Sequence, residues 1–322
     1  MGWMPSKSGE LPIDHIVQGD AQKVLEEWPD NSIHCVVTSP PYWNLKDYGV
    51  DGQIGLEDTV ADYIDDLLEV FKEIQRVLRP DGNLWVNLGD TYERKDKQFV
   101  PHQVALALRE QGWLARNDVV WRKTNPMPES VTDRLSTTHE FLFHFVEQRD
   151  YFYDLDAIRE PYKESSLERA KRDWNGETDR GDPNGRKEQP NPEDFVREDG
   201  KNPGDVIETS TANCSESHFA VFPDELVTKP IRAGCPPRVC RACGTPHERC
   251  DGQWQPQCGC EAEWQPGIVL DPFAGTGTAL RVARDEGRRF VGIELSKEYT
   301  KIARNRVGGA EQNASPVSEA AD

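Results

Sequence analysis

Two apolar runs, each broken off by an unusual turn, set the limits on how this chain folds. Residues 267–270 (GIVL) run straight into Asp271-Pro272-Phe273-Ala274-Gly275-Thr276-Gly277-Thr278, a helical pattern follows over 279–286, and Phe290-Val291-Gly292-Ile293 ends in Glu294. Residues 32–38 (SIHCVVT) stop as abruptly in Ser39-Pro40-Pro41-Tyr42-Trp43. A short, unbroken apolar run between turn residues is the pattern of a strand covered on both faces, and such strands alternate with helices in parallel sheets.

The rest of the chain carries the same alternation. Residues 13–17, 83–88, 113–121 and 138–147 read as strands, and 21–28, 101–111, 223–231 and 297–307 as helices. Between 59 and 78 the apolar residues Val60, Ile64, Leu67, Leu68, Phe71, Ile74, Val77 and Leu78 recur at helical spacing, and Arg79-Pro80-Asp81-Gly82 stops the helix. Residues 160–205 are polar, rich in Pro, Gly, Asp and Arg, and read as a long loop or small insertion. Strand–helix alternation implies an α/β, mostly parallel sheet covered on both faces.

Each broken run ends in a loop with its own chemistry. Gly275 and Gly277 allow a tight turn close to a ligand at the carboxyl end of a strand, and Glu294, at the end of the next strand, is placed to accept from ribose hydroxyls. The same glycines could simply make a tight strand-to-helix turn. A dinucleotide site would want a third glycine where Leu280 stands, and there is no Gly-Lys-Ser/Thr for a triphosphate. The pattern therefore suits a nucleoside-type cofactor without a pyrophosphate. In the other loop, two prolines fix the backbone and remove two donors, leaving carbonyls free to accept. Ser39 adds an acceptor and Tyr42 a ring face for stacking. An exocyclic amino group needs that set, because its lone pair is delocalised until acceptors on its hydrogens favour a pyramidal nitrogen. Taken alone, Ser-Pro-Pro is a rigid strand-ending turn; beside a cofactor unit it reads as chemistry.

Of eight cysteines, six lie between Cys235 and Cys260. Cys240-Arg241-Ala242-Cys243-Gly244 forms a knuckle and Cys258-Gly259-Cys260 a second pair, together suited to a tetrahedral, structural Zn²⁺, with Cys235, Cys250 and His247 as substitutes and unbound thiols as the plain reading. The net charge of −19 opposes binding to phosphates. Either the protein does not bind nucleic acid or it works at high salt, where screening shortens to a few ångströms. The acids are spread along the whole chain, which suggests a salt-adapted proteome, and basic residues gather locally between Arg159 and Lys187. No run approaches a membrane span and the N-terminus lacks an apolar signal core, so a cytoplasmic protein is expected.

TSPPYW, DPFAGTGT and the strand-ending Glu294 resemble motifs IV, I and II of amino-methylating DNA methyltransferases, and the catalytic motif coming first resembles the circularly permuted β class. The likeness runs over about residues 13–306 and includes Gly19-Asp20, residues 86–90 (VNLGD), Trp121-Arg122-Lys123, His139-Glu140 and residues 218–223 (HFAVFP). It implies a Rossmann-like S-adenosylmethionine-dependent methyltransferase fold with a seven-stranded sheet. By resemblance, Ser39, Pro40, Pro41 and Tyr42 grip the target base. Asp271, Phe273, Ala274, Gly275 and Gly277 line the cofactor, Glu294 binds its ribose, and Asp20 with His218 and Phe222 closes the pocket. Ser-Pro-Pro implies cytosine N4 as the acceptor, with adenine N6 as the alternative. The implied organisation is a catalytic half (1–160), a target-recognition insertion (161–205), a segment returning to the cofactor (206–232), a zinc-ribbon-like insertion (233–263), a cofactor half (264–307) and a disordered tail (308–322). Double-stranded DNA is the expected partner, with a cognate restriction endonuclease beside it. Likeness to small solitary enzymes of salt-loving archaea implies CTAG as the site. A zinc-containing DNA-binding protein without catalysis is the reading from a different class; both intact loops speak against it.

Overall fold

The computed structural model describes residues 9–171, 199–211, 222–250 and 252–308. Its strands, in chain order, are β1 (His15–Gln18), β2 (Ile33–Thr38), β3 (Leu78–Leu88), a small hairpin β4 (Tyr92–Glu93) and β5 (Asp96–Lys97), β6 (Leu114–Lys123), β7 (His139–Val146) and β8 (Val206–Thr209). There follow β9 (Val239–Cys240), β10 (His247–Cys250), β11 (Gln253–Pro256), β12 (Trp264–Gln265), β13 (Ile268–Asp271) and β14 (Arg289–Glu294). The helices are α1 (Ala21–Glu26), α2 (Val60–Val77), α3 (Val100–Glu110), α4 (Glu164–Lys171), α5 (Asp224–Gly234), α6 (Thr278–Asp285) and α7 (Lys297–Gly308).

All six residues of β2 are buried, the condition its unbroken apolar run demands. It lies near the middle of an eight-stranded sheet in the order β1-β14-β13-β2-β3-β7-β6-β8. Only β7 runs against its neighbours. Val36 is paired with Leu270 on one side and Leu84 on the other, so β2 and β13 are direct neighbours. The expected seven strands are joined by an eighth, β8, whose Val206 pairs with Val120 at the sheet edge. Its four residues are only partly covered, too short and too polar to announce a strand. β3 also begins at Leu78, directly after α2, so residues 79–82 are extended instead of forming a turn.

Alternating residues of the sheet feed two cores. On one face Val36, Leu84 and Leu270 pack with Leu25 of α1, Phe71 of α2 and Val104 of α3. On the other, Cys35, Val37 and Val269 pack with Ile231 of α5, Leu280 of α6 and Ala303 of α7. The helices that cover the sheet are fixed locally: the Thr59 hydroxyl caps α2 by accepting from Asp62 N at 3.2 Å, and α2 buries Tyr63, Leu67, Phe71 and Ile74 at helical spacing.

Residues 155–204 form a separate compact unit, apart from 1–154 and 205–322. Within it, Glu160 and Lys201 exchange backbone hydrogen bonds of 3.0 and 2.8 Å, and α4 adds a short helix to a stretch read from sequence as loop. No helix among the described residues is long and apolar enough to cross a membrane.

Candidate active site

Because β2 and β13 are parallel neighbours, their carboxyl ends open on the same rim and deliver both unusual loops to one place. The last residues of the two strands join: Thr38 Oγ1 donates to Asp271 Oδ1 at 2.7 Å. The same oxygen accepts from Phe273 N at 3.1 Å, which sets the loop's first turn. Asp271 is 1% exposed, and burial pushes its carboxyl up to about 7 against the pull of those two hydrogen bonds. It therefore braces the loops from behind, and it is not among the residues bordering the cavity, where the resemblance had placed it. Gly277 is also behind the wall. It caps α6 with φ +80°, and a Cβ there would lie 2.8 Å from Val307 Cγ2, so glycine is needed for α6 to pack on α7.

Phe273, Ala274 and Gly275 do face the cavity. Gly275, at φ +52°, donates its N–H to Glu294 Oε2, and Ser296 N donates to Oε1, each at 2.8 Å. The carboxylate at the end of β14 thus shapes the glycine turn while each oxygen keeps a lone pair. Burial raises the Glu294 pKa above the ordinary carboxylate range. Gly19 N donates to Glu294 O at 3.0 Å, and Asp20 caps α1 by accepting from Lys23 N at 3.1 Å, so the end of β1 closes the same rim.

On the other side of the Thr38–Asp271 bridge stands a polar network. Tyr42 O–H donates to Glu140 Oε2 at 2.6 Å, and Asn87 Nδ2 donates to Tyr42 Oη at 2.7 Å and to Glu140 Oε2 at 3.0 Å. Lys123 ion-pairs with the remaining oxygen of Glu140. Burial and the adjacent carboxylate raise the Tyr42 phenol well above its ordinary value, so it stays a donor. Ser39 is held only loosely, at 3.4 Å from Tyr42 Oη and 3.5 Å from Asn87 Nδ2, which leaves its oxygen available to a ligand. Tyr63 O–H donates to Pro41 O at 2.8 Å and pins the double proline. Gly89 is required beside Tyr42, because a Cβ there would sit 2.5 Å from Cε2 of the ring.

Both loops line one cavity of about 1000 Å³, together with Asp20, Phe222, Asn87, Lys123, Glu140 and Glu294. Ser39, Pro40, Pro41 and Tyr42 all border it. His218 lies outside the described residues. Asn87, Lys123 and Glu140 were absent from the sequence-based site, although all three fall in segments that carried the family likeness. Their signal was a polar residue at or beyond the end of an apolar strand, which has meaning only once β3, β6 and β7 are known to be neighbours.

The metal ligands expected from sequence also meet. The sulfurs of Cys240, Cys243, Cys258 and Cys260 all lie within 4.8 Å of one another. A tetrahedron with Zn–S bonds of about 2.3 Å separates its sulfurs by about 3.8 Å, so this donor set matches a four-thiolate centre. Cys235 is buried in the core and Cys250 and His247 stand in the β10–β11 hairpin, none of them in the cluster. The first knuckle is tied to the central sheet: His34 Nε2 donates to Gly244 O and His34 Nδ1 accepts from Ile268 N, both at 3.2 Å. Burial lowers the His34 pKa to about 4, consistent with a neutral ring in that tautomer.

The chain is similar to known proteins. Residues 33–305 match the family described as DNA methylase. Type II methyltransferase M.XycI of Xanthomonas campestris pv. cyanopsidis is 34% identical over 95% of this chain and 91% of its own length. Type II methyltransferase M.Cfr9I of Citrobacter freundii is 34% identical over 98% of this chain and 100% of its own. Among solved structures, PvuII DNA methyltransferase (cytosine-N4-specific) superposes with a TM-score of 0.60 at 19% identity, covering 93% of this chain and 87% of its own. The M1.HpyAVI–SAM complex does so with a TM-score of 0.51 at 18% identity, covering 91% and 98%. With that family spanning most of its length and the two loops meeting at one cavity, the chain belongs to the N6/N4 family of DNA methylases and is a DNA methyltransferase.

Proposed function

We propose that the acceptor is N4 of a cytosine flipped out of duplex DNA and that the methyl donor is S-adenosylmethionine. The observation that carries this reading is the single cavity bordered by both Tyr42 and Gly275. The lining suits that donor. Thr278 Oγ1 is buried, has no hydrogen-bond partner among the described residues, and borders the cavity at the start of α6, while Glu294 offers lone pairs to ribose hydroxyls. Phe273, Ala274 and Gly275 would cover the cofactor, and Asp20, His218 and Phe222 would close over it. Asp271 and Gly277 would act through the loop they shape. The M1.HpyAVI neighbour, a complex with this cofactor, supports the assignment. When bound, the cofactor supplies a methyl group on a positively charged sulfur.

The chain's own part is positioning. Ser39 Oγ and the Pro40 carbonyl accept from the two amino hydrogens, turning the nitrogen lone pair toward the methyl, and the Tyr42 ring stacks on the base. Transfer there would form the N–C bond as the S–C bond breaks, with one amino proton leaving to solvent. Glu140, paired to Lys123, holds Tyr42 and Asn87 around Ser39. Cytosine is favoured over adenine by Ser39 in place of an acidic or amide residue, and by the fold shared with the cytosine-N4-specific PvuII enzyme. The four clustered thiolates are assigned a structural Zn²⁺, and residues 161–205 target recognition. The type II names of the relatives favour a cognate restriction endonuclease as partner, and a cytoplasmic setting belongs to the same reading. Modification-sensitive sequencing of DNA from a host expressing the chain tests the whole reading. N4-methylcytosine in one fixed context, CTAG by the archaeal likeness, is expected; N6-methyladenine in its place would overturn the cytosine assignment.

A further inference from the structure

The connection from β6 to β7, residues 124–138, is held firmly and yet presents apolar side chains to solvent. Asn125 Oδ1 accepts from Thr211 N at 2.7 Å, Glu129 Oε2 accepts from Arg134 Nη1 at 2.7 Å, and the Arg134 guanidinium lies 4.0 Å over the Tyr92 ring. Lys95 pairs with Asp133 at 2.6 Å. On this scaffold Met127 is 85% exposed. It stands between Pro126 and Pro128, whose rings restrict the backbone, and all three border the mouth of the cavity described above, as does Leu45 at 59% exposure.

A long apolar side chain on a stiff loop beside an active-site mouth adds nothing to the core and is placed to meet a surface that forms in a complex. Extruding a base creates one. The stack keeps a gap walled by the apolar faces of two neighbouring base pairs, and opening it costs a few kcal/mol. Methionine is among the side chains that wedge between base steps. Resting on the duplex-DNA reading, we propose that Met127 enters the space vacated by the target base, holding the duplex closed behind it while the base occupies the cavity next to Tyr42. Unbranched and polarizable, it can follow either neighbouring base.

Single-turnover methyl transfer by the full chain tests this, using a synthetic duplex with the context that sequencing returns. In one form the target cytosine faces guanine; in the other it faces an abasic site, where little pairing opposes extrusion. Met127→Ala, at a solvent-facing position, should keep the parent's thermal midpoint and cofactor affinity. It should slow transfer on the paired duplex by about tenfold, equivalent to about 1.4 kcal/mol. On the abasic-opposed duplex it should fall within about twofold of the parent, and Met127→Leu should restore most of the rate on both. Equal slowing on the two duplexes, or none on the paired one, overturns the wedge. A parent chain that methylates neither duplex overturns the duplex reading, and the wedge with it.

Discussion

Asp271 gives the most quantitative test of the link between the two loops. Its carboxyl is buried at the junction of β13 and β2, with Thr38 Oγ1 and Phe273 N as donors, and stands at about 7 against an ordinary 3.8. The folded chain therefore holds this proton more tightly than the unfolded chain. Between about pH 4 and pH 7 unfolding releases it, so the stabilisation is complete below about pH 4 and is lost as the pH rises through 7. At 1.36 kcal/mol per pH unit, the rise corresponds to about 4 kcal/mol. Asp271→Asn keeps an acceptor for both donors and removes the titration. Denaturant unfolding followed by tryptophan fluorescence, at fixed ionic strength and stepped pH, gives both stabilities. Whatever the variant's offset at pH 4, its stability relative to the parent should climb by up to about 1.4 kcal/mol per pH unit and total about 4 kcal/mol by pH 8. Groups remote from Asp271 titrate alike in both chains and cancel in the difference, and the repulsion from Glu294 is the smallest of the influences on the Asp271 carboxyl. A constant difference, or one that moves against the variant, would mean that Asp271 is ionised in the fold, and the account of the junction would be wrong.

Further outcomes are expected. Ser39→Ala should bind S-adenosylmethionine like the parent in calorimetry while losing about two orders of magnitude in single-turnover transfer; unchanged turnover removes Ser39 from the chemistry. Gly89→Ala should drive the Tyr42 ring out of place, for an overpacking cost of about 1–3 kcal/mol, and lower transfer much more than cofactor affinity; a variant of normal rate would show that the ring has room. Cys258→Ser should lower the zinc found by elemental analysis and the thermal midpoint together, whereas loss of neither argues for free thiols. If the acidic surface is an adaptation to salt, molar KCl, with a screening length of about 3 Å, should raise activity; strong inhibition there would count against it.

Much of this architecture could be read from residues whose setting is local. The run of 32–38, the helical spacing over 59–78, and the glycine turn after 270 announced β2, α2 and the β13–α6 unit within a residue or two. Four thiolates in two turns foretold a cluster that the fold assembles. What stayed hidden depends on partners far along the chain. Glu140 and Lys123 are unremarkable polar residues until β7 pairs with β6 and both lie beside β3. Asp271 looks like a ligand for the cofactor because it opens the glycine motif, and only the pairing of β13 with β2 turns it inward to Thr38. β8 was silent because four residues of mixed exposure carry no period worth reading.

The position of β13 in the chain has a cost at the ribosome. β1 is made first and β2 soon after, yet in the finished sheet β14 and β13 stand between them. Until residue 268 has left the exit tunnel, β2 has one open edge in the middle of what will be the core, and the nascent chain has nothing native to set against it. Such an unpaired edge, on a strand that the finished fold buries throughout, invites association with other chains during synthesis. It also means that translation stopped before Ile268 yields a Ser-Pro-Pro loop with no companion strand, and that the paired loops with their carboxylate need the chain through Glu294.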